Sequence, residues 1–235
     1  MTMRYDALFL DADETIFDYA SAERTAFSVT TSACGLQGGE GMYAAYRRYN
    51  SSVWKAFERG DISAEALKAE RFRLLLADFG LVAPTPETMS AVYLDALSQQ
   101  TQLLPGAEAA VAALAATWPL VLVTNGLTSV QRRRFAASPV TEHFSMILIS
   151  EELGVAKPDP AIFATALARF DLDASRVLLV GDSSSSDMPA ATNAGMDFCW
   201  VNPQDQPVPP GHAPRFIIHS LAELPALLAD SERPS

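Results

Sequence analysis

Six short apolar runs recur along the chain and predict the strands of a parallel sheet. They are ALFL, LVLVT, MILIS, RVLLVG, FCWV and FII, at residues 7–10, 120–124, 146–150, 176–181, 198–201 and 216–218. Short, nearly continuous apolar runs are typical of strands buried on both faces. Helix-length segments such as 159–170 and 186–195 separate the later runs, and Gly195 suits a helix end. This alternation predicts an α/β fold with a doubly wound parallel sheet.

The long segment after the first strand follows a different pattern. Residues 18–101 separate that strand from the next strand-and-helix repeat, whereas a crossover between parallel strands usually needs about a dozen residues or slightly more. Apolar residues at helical spacing form one stripe within it: Met42, Tyr46, Tyr49, Val53 and Phe57. We therefore predict a core domain of residues 1–17 and 102–235, with an inserted helical cap at 18–101.

Composition and charge narrow the classes of function. The chain has 235 residues, of which 49% are hydrophobic, so it can bury a sizeable core. Its net charge of -11 argues against binding nucleic acid, which depends on lysine and arginine. A small anionic substrate would need a local positive site instead.

The apolar segments and the cysteines of the sequence predict a cytoplasmic location. The most apolar span, 109–123, is shorter than the roughly 20 residues that cross a membrane and is broken by Thr117 and Pro119. No basic segment followed by an apolar one opens the sequence, as it would in a signal peptide. Cys34 and Cys199 are too few for a disulfide framework.

Polar stretches follow several of the predicted strands. They are DADET at 11–15, TNG at 124–126, AKPDP at 156–160 and GDSSSSD at 181–187. In an extended segment Asp11 and Asp13 lie on the same side of the chain and can reach one ligand. A carboxylate can attack phosphorus, while a second carboxylic acid protonates the leaving oxygen and later activates water. Asp11 is the candidate nucleophile and Asp13 the candidate general acid and base.

Further residues of these stretches could bind a cation and a phosphate. Asp182 and Asp187 add hard oxygen ligands, which Mg²⁺ prefers and Mn²⁺ also accepts. Lys157 could hold both Asp11 and the phosphoryl oxygens. At the turn after a strand, the Thr124 hydroxyl and the backbone amides of Asn125 and Gly126 could donate to the phosphate: this makes Thr124, Asn125, Gly126 and Lys157 the candidate phosphate-binding residues.

Each stretch also has a simpler explanation when it is taken alone. An Asp-x-Asp before threonine can cap a helix, and Asn-Gly favours turns regardless of function. Lys157 could be a solvated loop lysine, and the serine run could be a flexible loop that caps the next helix. All four stretches, however, fall at or soon after predicted strand ends, and this combination favours one common site.

The four stretches resemble the motifs of the haloacid dehalogenase superfamily of phosphohydrolases. DADET is similar to its first motif, Asp-x-Asp-x-Thr, Thr124 to its second, Lys157 to its third and GDSSSSD to its fourth. The resemblance spans residues 11–187. It implies a Rossmann-like core, a helical cap between the first two motifs, and Mg²⁺ held by Asp11, Asp182 and the main-chain carbonyl of Asp13. Asp187 would be a further ligand or would support the ligands.

A narrower resemblance is to the bacterial house-cleaning pyrimidine 5′-nucleotidases of this superfamily. It is carried by FLDADETIFDY, LVTNGLTSVQ, ISEELGVAKPDPAIF and GDSSSSDMPAATNAGMDFCWVN, and by VWKAFERGDIS in the cap. It implies a phosphomonoesterase whose partner is a nucleoside monophosphate, including noncanonical pyrimidine ones. Related phosphatases keep the core motifs and change the cap, so a small phosphosugar or phosphoglycolate is an alternative substrate.

Two other functions and a candidate substrate contact, Trp54, also have to be considered. A metal-independent dehalogenase would have no use for Asp13 as an acid or for the Asp182 and Asp187 pair, and an inactive binding module would not need these residues. Trp54 lies about 100° around its helix from Val53 and could stack on a base, or pack in the core instead. The sequence is compatible with a monomer or a homodimer.

Overall fold

The structure is a computed structural model in which residues 4–231 are described. The strands are β1 (Ala7–Leu10), β2 (Leu120–Thr124), β3 (Phe144–Ile149), β4 (Val177–Gly181), β5 (Asp197–Val201) and β6 (Phe216–Ile218). The α-helices of this part are α1 (Tyr19–Ala33), α2 (Glu40–Glu58), α3 (Ala64–Asp78), α4 (Pro86–Ser98), α5 (Ala107–Ala115), α6 (Thr128–Ala136), α7 (Ser150–Leu153), α8 (Ala164–Phe170), α9 (Asp187–Ala194) and α10 (Leu224–Ser231).

All six strands form one parallel sheet in the order β3-β2-β1-β4-β5-β6. The prediction of a doubly wound α/β sheet is confirmed. β1 lies between β2 and β4, and every residue of these three strands is buried. Such strands need apolar side chains on both faces, which is why they read as continuous apolar runs.

The two faces of the sheet carry separate apolar clusters. Leu8 and Leu10 of β1 belong to one cluster, together with side chains of α5 and α10. Phe9 belongs to the other, together with side chains of α8 and α9. Successive strand residues point to opposite faces, so one short strand supplies both layers of the core.

Three of the predicted strands have different bounds in the structure, and one of them, β5, begins at Asp197 rather than at 198. β3 begins at Phe144 rather than at 146, and Ser150 already belongs to α7. β3 is an edge strand and its residue Ser145 is exposed, so its first half lacks a continuous apolar pattern. β4 begins at Val177 because Arg176 ends a 3-10 turn.

The chain divides into two compact units. One comprises the described residues up to Tyr19, Gln102–Thr128 and the described residues from Phe135 onward. The other comprises Ala20–Thr101 and Ser129–Arg134. The predicted split into a core domain, 1–17 and 102–235, and a cap domain, 18–101, stays a prediction. Residues 1–3 and 232–235 of that core lie outside the described residues.

The helical unit contains α1 to α4 and packs around buried aromatic rings. The Tyr46 ring lies 5.5 Å from the rings of both Phe72 and Tyr93. Of the predicted stripe, Met42, Tyr46 and Val53 are buried, whereas Tyr49 and Phe57 are only half-buried. The mean spacing between the residues of the stripe is slightly longer than the 3.6 residues of a helical turn. Its last residue therefore lies rotated away from the buried face.

A buried polar network also joins the helices of this unit. Glu23 accepts hydrogen bonds from Asn50 (2.8 Å) and from the Tyr43 hydroxyl (3.2 Å), and Arg71 donates to Asn50 (3.0 Å). Burial raises the pKa of Glu23, and its hydrogen bonds oppose that rise. The helices are therefore matched by specific polar contacts as well as by apolar packing. Among residues 4–231, none of the helices is both long enough and apolar enough for a membrane span.

Candidate active site

The predicted polar stretches begin at one edge of the sheet. Asp11 directly follows β1, Thr124 is the last residue of β2, and Asp182 directly follows β4. These three strands are parallel neighbours, so their carboxyl ends meet at the same edge. The Asp11 backbone N–H donates to the Val180 carbonyl (2.8 Å), which continues the sheet pairing to the start of the site.

The Lys157 ammonium lies at the centre of this edge. It is 1% exposed and donates to the Asp11 carboxylate at 2.5 Å and to the Val123 carbonyl at 2.9 Å. It also forms an ion pair with the Asp187 carboxylate at 2.7 Å. An ammonium group has three N–H donors, so these three oxygens can satisfy it fully.

The Asn125 side chain holds the main chain of Lys157. Its carbonyl oxygen accepts from the Lys157 N–H (2.8 Å), and its amide donates to the Lys157 carbonyl (2.7 Å). The sequence predicted a role only for the backbone amide of Asn125 and not for this side-chain contact. An Asn-Gly pair signals a turn, and nothing in that signal identifies a partner 32 residues away.

Three carboxylates converge beside the ammonium. Asp11, Asp182 and Asp187 each offer an oxygen, and these oxygens lie within 4.8 Å of one another. The Asp187 carboxylate also accepts from the Ser183 N–H (3.0 Å). Converging carboxylate oxygens of this kind suit a hard divalent cation. The donor set of this chain therefore fits such a cation.

The electrostatics of the cluster favour added positive charge. Burial raises the pKa of Asp11 to about 7, while the charge of Lys157 opposes that rise. Burial, together with the charges of Asp11 and Asp187, also raises the pKa of Asp182. Burial lowers the pKa of Lys157, but the two carboxylates outweigh this and raise it. A cation bound among the carboxylates would stabilise their ionised forms.

The remaining candidates of the core site lie around this cluster. Asp13 is half-buried, and its side chain is not one of the three that converge. Glu14 has a left-handed backbone (φ 59°) in the tight turn that follows β1. Thr124 and Gly126 are buried just before α6. Their roles as acid and base or as phosphate donors stay predictions.

The substrate candidate Trp54 belongs to the helical unit. It lies on α2 and is half-buried. Its ring packs edge-on against the ring of Phe57, with 5.7 Å between the centroids. Part of the Trp54 ring therefore packs within its own helix, and part remains accessible.

The comparison with protein families agrees with these motifs. A family model for haloacid dehalogenase-like hydrolases matches residues 5–195, a span that includes all four polar stretches. The chain belongs to the haloacid dehalogenase-like hydrolase family. The resemblance inferred from the motifs is thereby confirmed, and the sheet is the Rossmann-like core of that family.

Two curated hydrolases of similar length resemble the whole chain. It is 32% identical to the pyrimidine 5′-nucleotidase YjjG of Escherichia coli K12, over 96% of this chain and 99% of that protein. It is 30% identical to the pyrimidine 5′-nucleotidase PynA of Streptococcus pneumoniae, over 94% of each chain. Among solved structures, the HAD-hydrolase YfnB of Bacillus subtilis bound to magnesium has a TM-score of 0.89 and 31% identity, with 96% of this chain and 99% of that one covered.

The contact between Gly181 and Asp187 gives a test of the site's geometry. A Cβ atom at Gly181 would lie 2.3 Å from an Asp187 carboxylate oxygen, so Gly181→Ala must displace that carboxylate. We expect the substitution to lower the free energy of unfolding by about 1–3 kcal/mol and to reduce hydrolase activity strongly. Chemical denaturation and an activity assay measure the two effects.

Gly41→Ala is the matched control for this substitution. Gly41 lies in α2 with open space where a Cβ atom would be placed. Alanine favours helices over glycine by roughly 0.5–1 kcal/mol, so this variant should be as stable as the wild type or more so. A Gly181→Ala protein that kept wild-type stability and activity would contradict the proposed tight contact.

Proposed function

We propose that this hydrolase is a metal-dependent phosphomonoesterase that cleaves nucleoside 5′-monophosphates, with a preference for pyrimidines. The observation that carries the proposal is the contact between the Lys157 ammonium and the Asp11 carboxylate beside Asp182 and Asp187. The similarity to two pyrimidine 5′-nucleotidases supports the substrate class. Nucleoside monophosphates are small and water-soluble, which fits the predicted cytoplasmic location.

Asp11 is the proposed nucleophile. Its carboxylate oxygen attacks phosphorus, a new P–O bond forms to Asp11, and the bond from phosphorus to the nucleoside oxygen breaks. Lys157 would hold both Asp11 and the phosphoryl oxygens in place. Its own position is fixed by contacts with Val123, Asn125 and Asp11. Its charge also favours the ionised form of Asp11, which is the form that attacks.

Asp13 is the proposed general acid and base. In the first step it gives a proton to the leaving nucleoside oxygen. In the second step it takes a proton from the water that attacks the aspartyl phosphate, and inorganic phosphate leaves. Asp13 is half-buried and lies outside the converging carboxylates, which leaves it suited to proton transfer.

A divalent cation and a set of donors complete the proposal. Asp11, Asp182 and the main-chain carbonyl of Asp13 would hold Mg²⁺ or Mn²⁺, and Asp187 would be a further ligand or a support. When bound, the cation would offset the charge of the carboxylates and of the phosphoryl oxygens. The phosphate would also accept from Thr124 and from the backbone amides of Asn125 and Gly126.

The choice of substrate is the first point to test. We expect purified protein to release inorganic phosphate from pyrimidine monophosphates faster than from purine monophosphates, phosphoglycolate or sugar phosphates. We also expect release to require Mg²⁺ or Mn²⁺ and to stop with a chelator. A preference for small phosphates would overturn the nucleotide substrate but leave the proposed phosphomonoester hydrolysis standing. Halide release from 2-haloacids without phosphate release would overturn the substrate and the phosphomonoester hydrolysis alike.

Substitutions of the two proposed catalytic acids should separate their roles. Asp11→Asn removes the nucleophile, so we expect turnover to fall by about 10³-fold or more while the variant keeps its fold. Asp13→Asn should slow turnover by about 10²- to 10⁴-fold, yet an aryl phosphate should still transfer its phosphoryl group to Asp11, because its leaving group needs little protonation. Intact-protein mass spectrometry detects that covalent adduct.

The reverse pattern would contradict these roles. Substantial activity in Asp11→Asn would require another nucleophile. An Asp13→Asn protein with the wild-type rate on nucleotides would remove Asp13 from proton transfer. Circular dichroism on each variant controls for loss of fold.

Trp54 is the proposed contact for the base. Stacking of a base on an aromatic ring contributes roughly 1–3 kcal/mol, so Trp54→Ala should raise KM for pyrimidine monophosphates by about tenfold or more. Its KM for a small aryl phosphate should change much less. Trp54→Phe retains an aromatic face and serves as the control, with near wild-type KM expected. Equal losses on both substrates in Trp54→Ala would instead indicate damage to the helical unit.

A further inference from the structure

The side chain of Trp200 contacts the main chain of a candidate metal ligand. Trp200 lies on β5, is 2% exposed, and is paired in register with Gly181 of β4. Its indole N–H donates to the main-chain carbonyl of Asp182 at 2.9 Å. In the sequence, Trp200 is recognisable only as part of the apolar run 198–201.

The position of Asp182 explains what this hydrogen bond does. Asp182 is the first residue beyond β4, and the pairing between β4 and β5 ends at Gly181 and Trp200. The carbonyl of Asp182 therefore lies past the last paired position of these two strands. A polar group at a buried strand end needs a partner, and the indole N–H supplies it.

The indole ring also belongs to the packing under the following helix. Trp200 shares a buried apolar cluster with Met188, Ala190 and Ala191 of α9. The loop 182–187 begins at Asp182, which accepts the hydrogen bond from Trp200. It ends at Asp187, the first residue of α9. The loop that carries two of the converging carboxylates is thus held at its first residue by the Trp200 hydrogen bond, and the helix at its end packs in the same apolar cluster as Trp200.

We propose that Trp200 is a positioning residue for the divalent-cation site. By holding the Asp182 main chain it keeps the Asp182 and Asp187 carboxylates at the separation at which they converge with Asp11. Trp200 itself contacts neither substrate nor cation. This inference rests on the proposed function in one respect only, namely that the carboxylates bind a divalent cation.

The chain contains a matched control for this role. The indole N–H of Trp118 donates to the main-chain carbonyl of Tyr5 at 3.1 Å, and Trp118 is 7% exposed. Both residues precede their strands, β1 and β2, so this hydrogen bond lies at the end of the sheet opposite to the carboxylates. Trp118→Phe removes the same type of bond from a similarly buried ring, without touching the loop 182–187.

The experiment compares Trp200→Phe, Trp118→Phe and the wild type without substrate. Titration calorimetry gives the Kd for Mg²⁺, and the rise in melting temperature with Mg²⁺ gives an independent value. Loss of a group that orients metal ligands typically weakens metal binding by about 10- to 100-fold. We expect Trp200→Phe to raise Kd by about tenfold and Trp118→Phe to leave it unchanged, although both lower the melting temperature without Mg²⁺.

Kinetics add a second readout. For Trp200→Phe, the Mg²⁺ concentration that gives half-maximal activity should rise by a similar factor, while kcat at saturating Mg²⁺ should recover most of its wild-type value. A residue that only stabilises the fold would not separate these two quantities. Should Trp200→Phe not fold, β-(3-benzothienyl)alanine at position 200 replaces the indole N–H by sulfur in a ring of nearly the same shape.

The outcomes distinguish this inference from the proposed function. An unchanged Kd in the variant at position 200, beside a wild type that binds Mg²⁺, would overturn the role of Trp200 and leave the proposed function standing. Equal weakening in Trp118→Phe would also overturn it, since the effect would then be general destabilisation. A wild type that bound no divalent cation would overturn the metal-dependent function, and the inference with it.

Discussion

The buried ammonium of Lys157 is the interaction on which the rest of the site depends. Removing a charged group from water costs several kcal/mol unless partners replace the lost hydration. Here two carboxylates and one main-chain carbonyl replace it, from residues after β1, in β2 and in the loop after β4. Without Lys157, the buried Asp11 and Asp187 carboxylates would lose the positive charge that opposes theirs. The ammonium therefore joins three separate segments of chain into one arrangement.

The order of the strands in the sheet brings these segments together. β1 lies between β2 and β4, so residues 11, 124 and 182 lie at the carboxyl ends of three adjacent parallel strands although they are far apart in sequence. The loop after β3 then carries Lys157 to the same edge, and the Asn125 side chain fixes its main chain. A chain in which the same residues followed antiparallel strands would place them at opposite ends of the sheet. The site is in this sense a consequence of the topology.

A strand can be predicted from the sequence where its residues form a continuous apolar run. The runs at 7–10, 120–124 and 216–218 coincide with strands, and the polar stretches contain Asp11, Asp182 and Lys157, which the structure places in one cluster of charges. Hydrogen bonds to partners that are distant along the chain could not be predicted in this way. The Asn125 side chain reads as a turn and Trp200 as a core residue, since their hydrogen bonds reach across 32 and 18 positions. The half-exposed start of β3 left no continuous apolar pattern to detect.

The charges of the site explain why the proposed cation would be an electrostatic requirement. Asp11, Asp182 and Asp187 face the single ammonium of Lys157, within a protein whose net charge is -11. A phosphate monoester, the proposed substrate, would bring further negative charge to this edge, where burial already raises the pKa of Asp11 and Asp182. Lys157 is shared between the Asp11 and Asp187 carboxylates, so its single charge does not balance all three acids. Since the fold holds the carboxylates together, a divalent cation bound between them would make the same residues attractive to a phosphate.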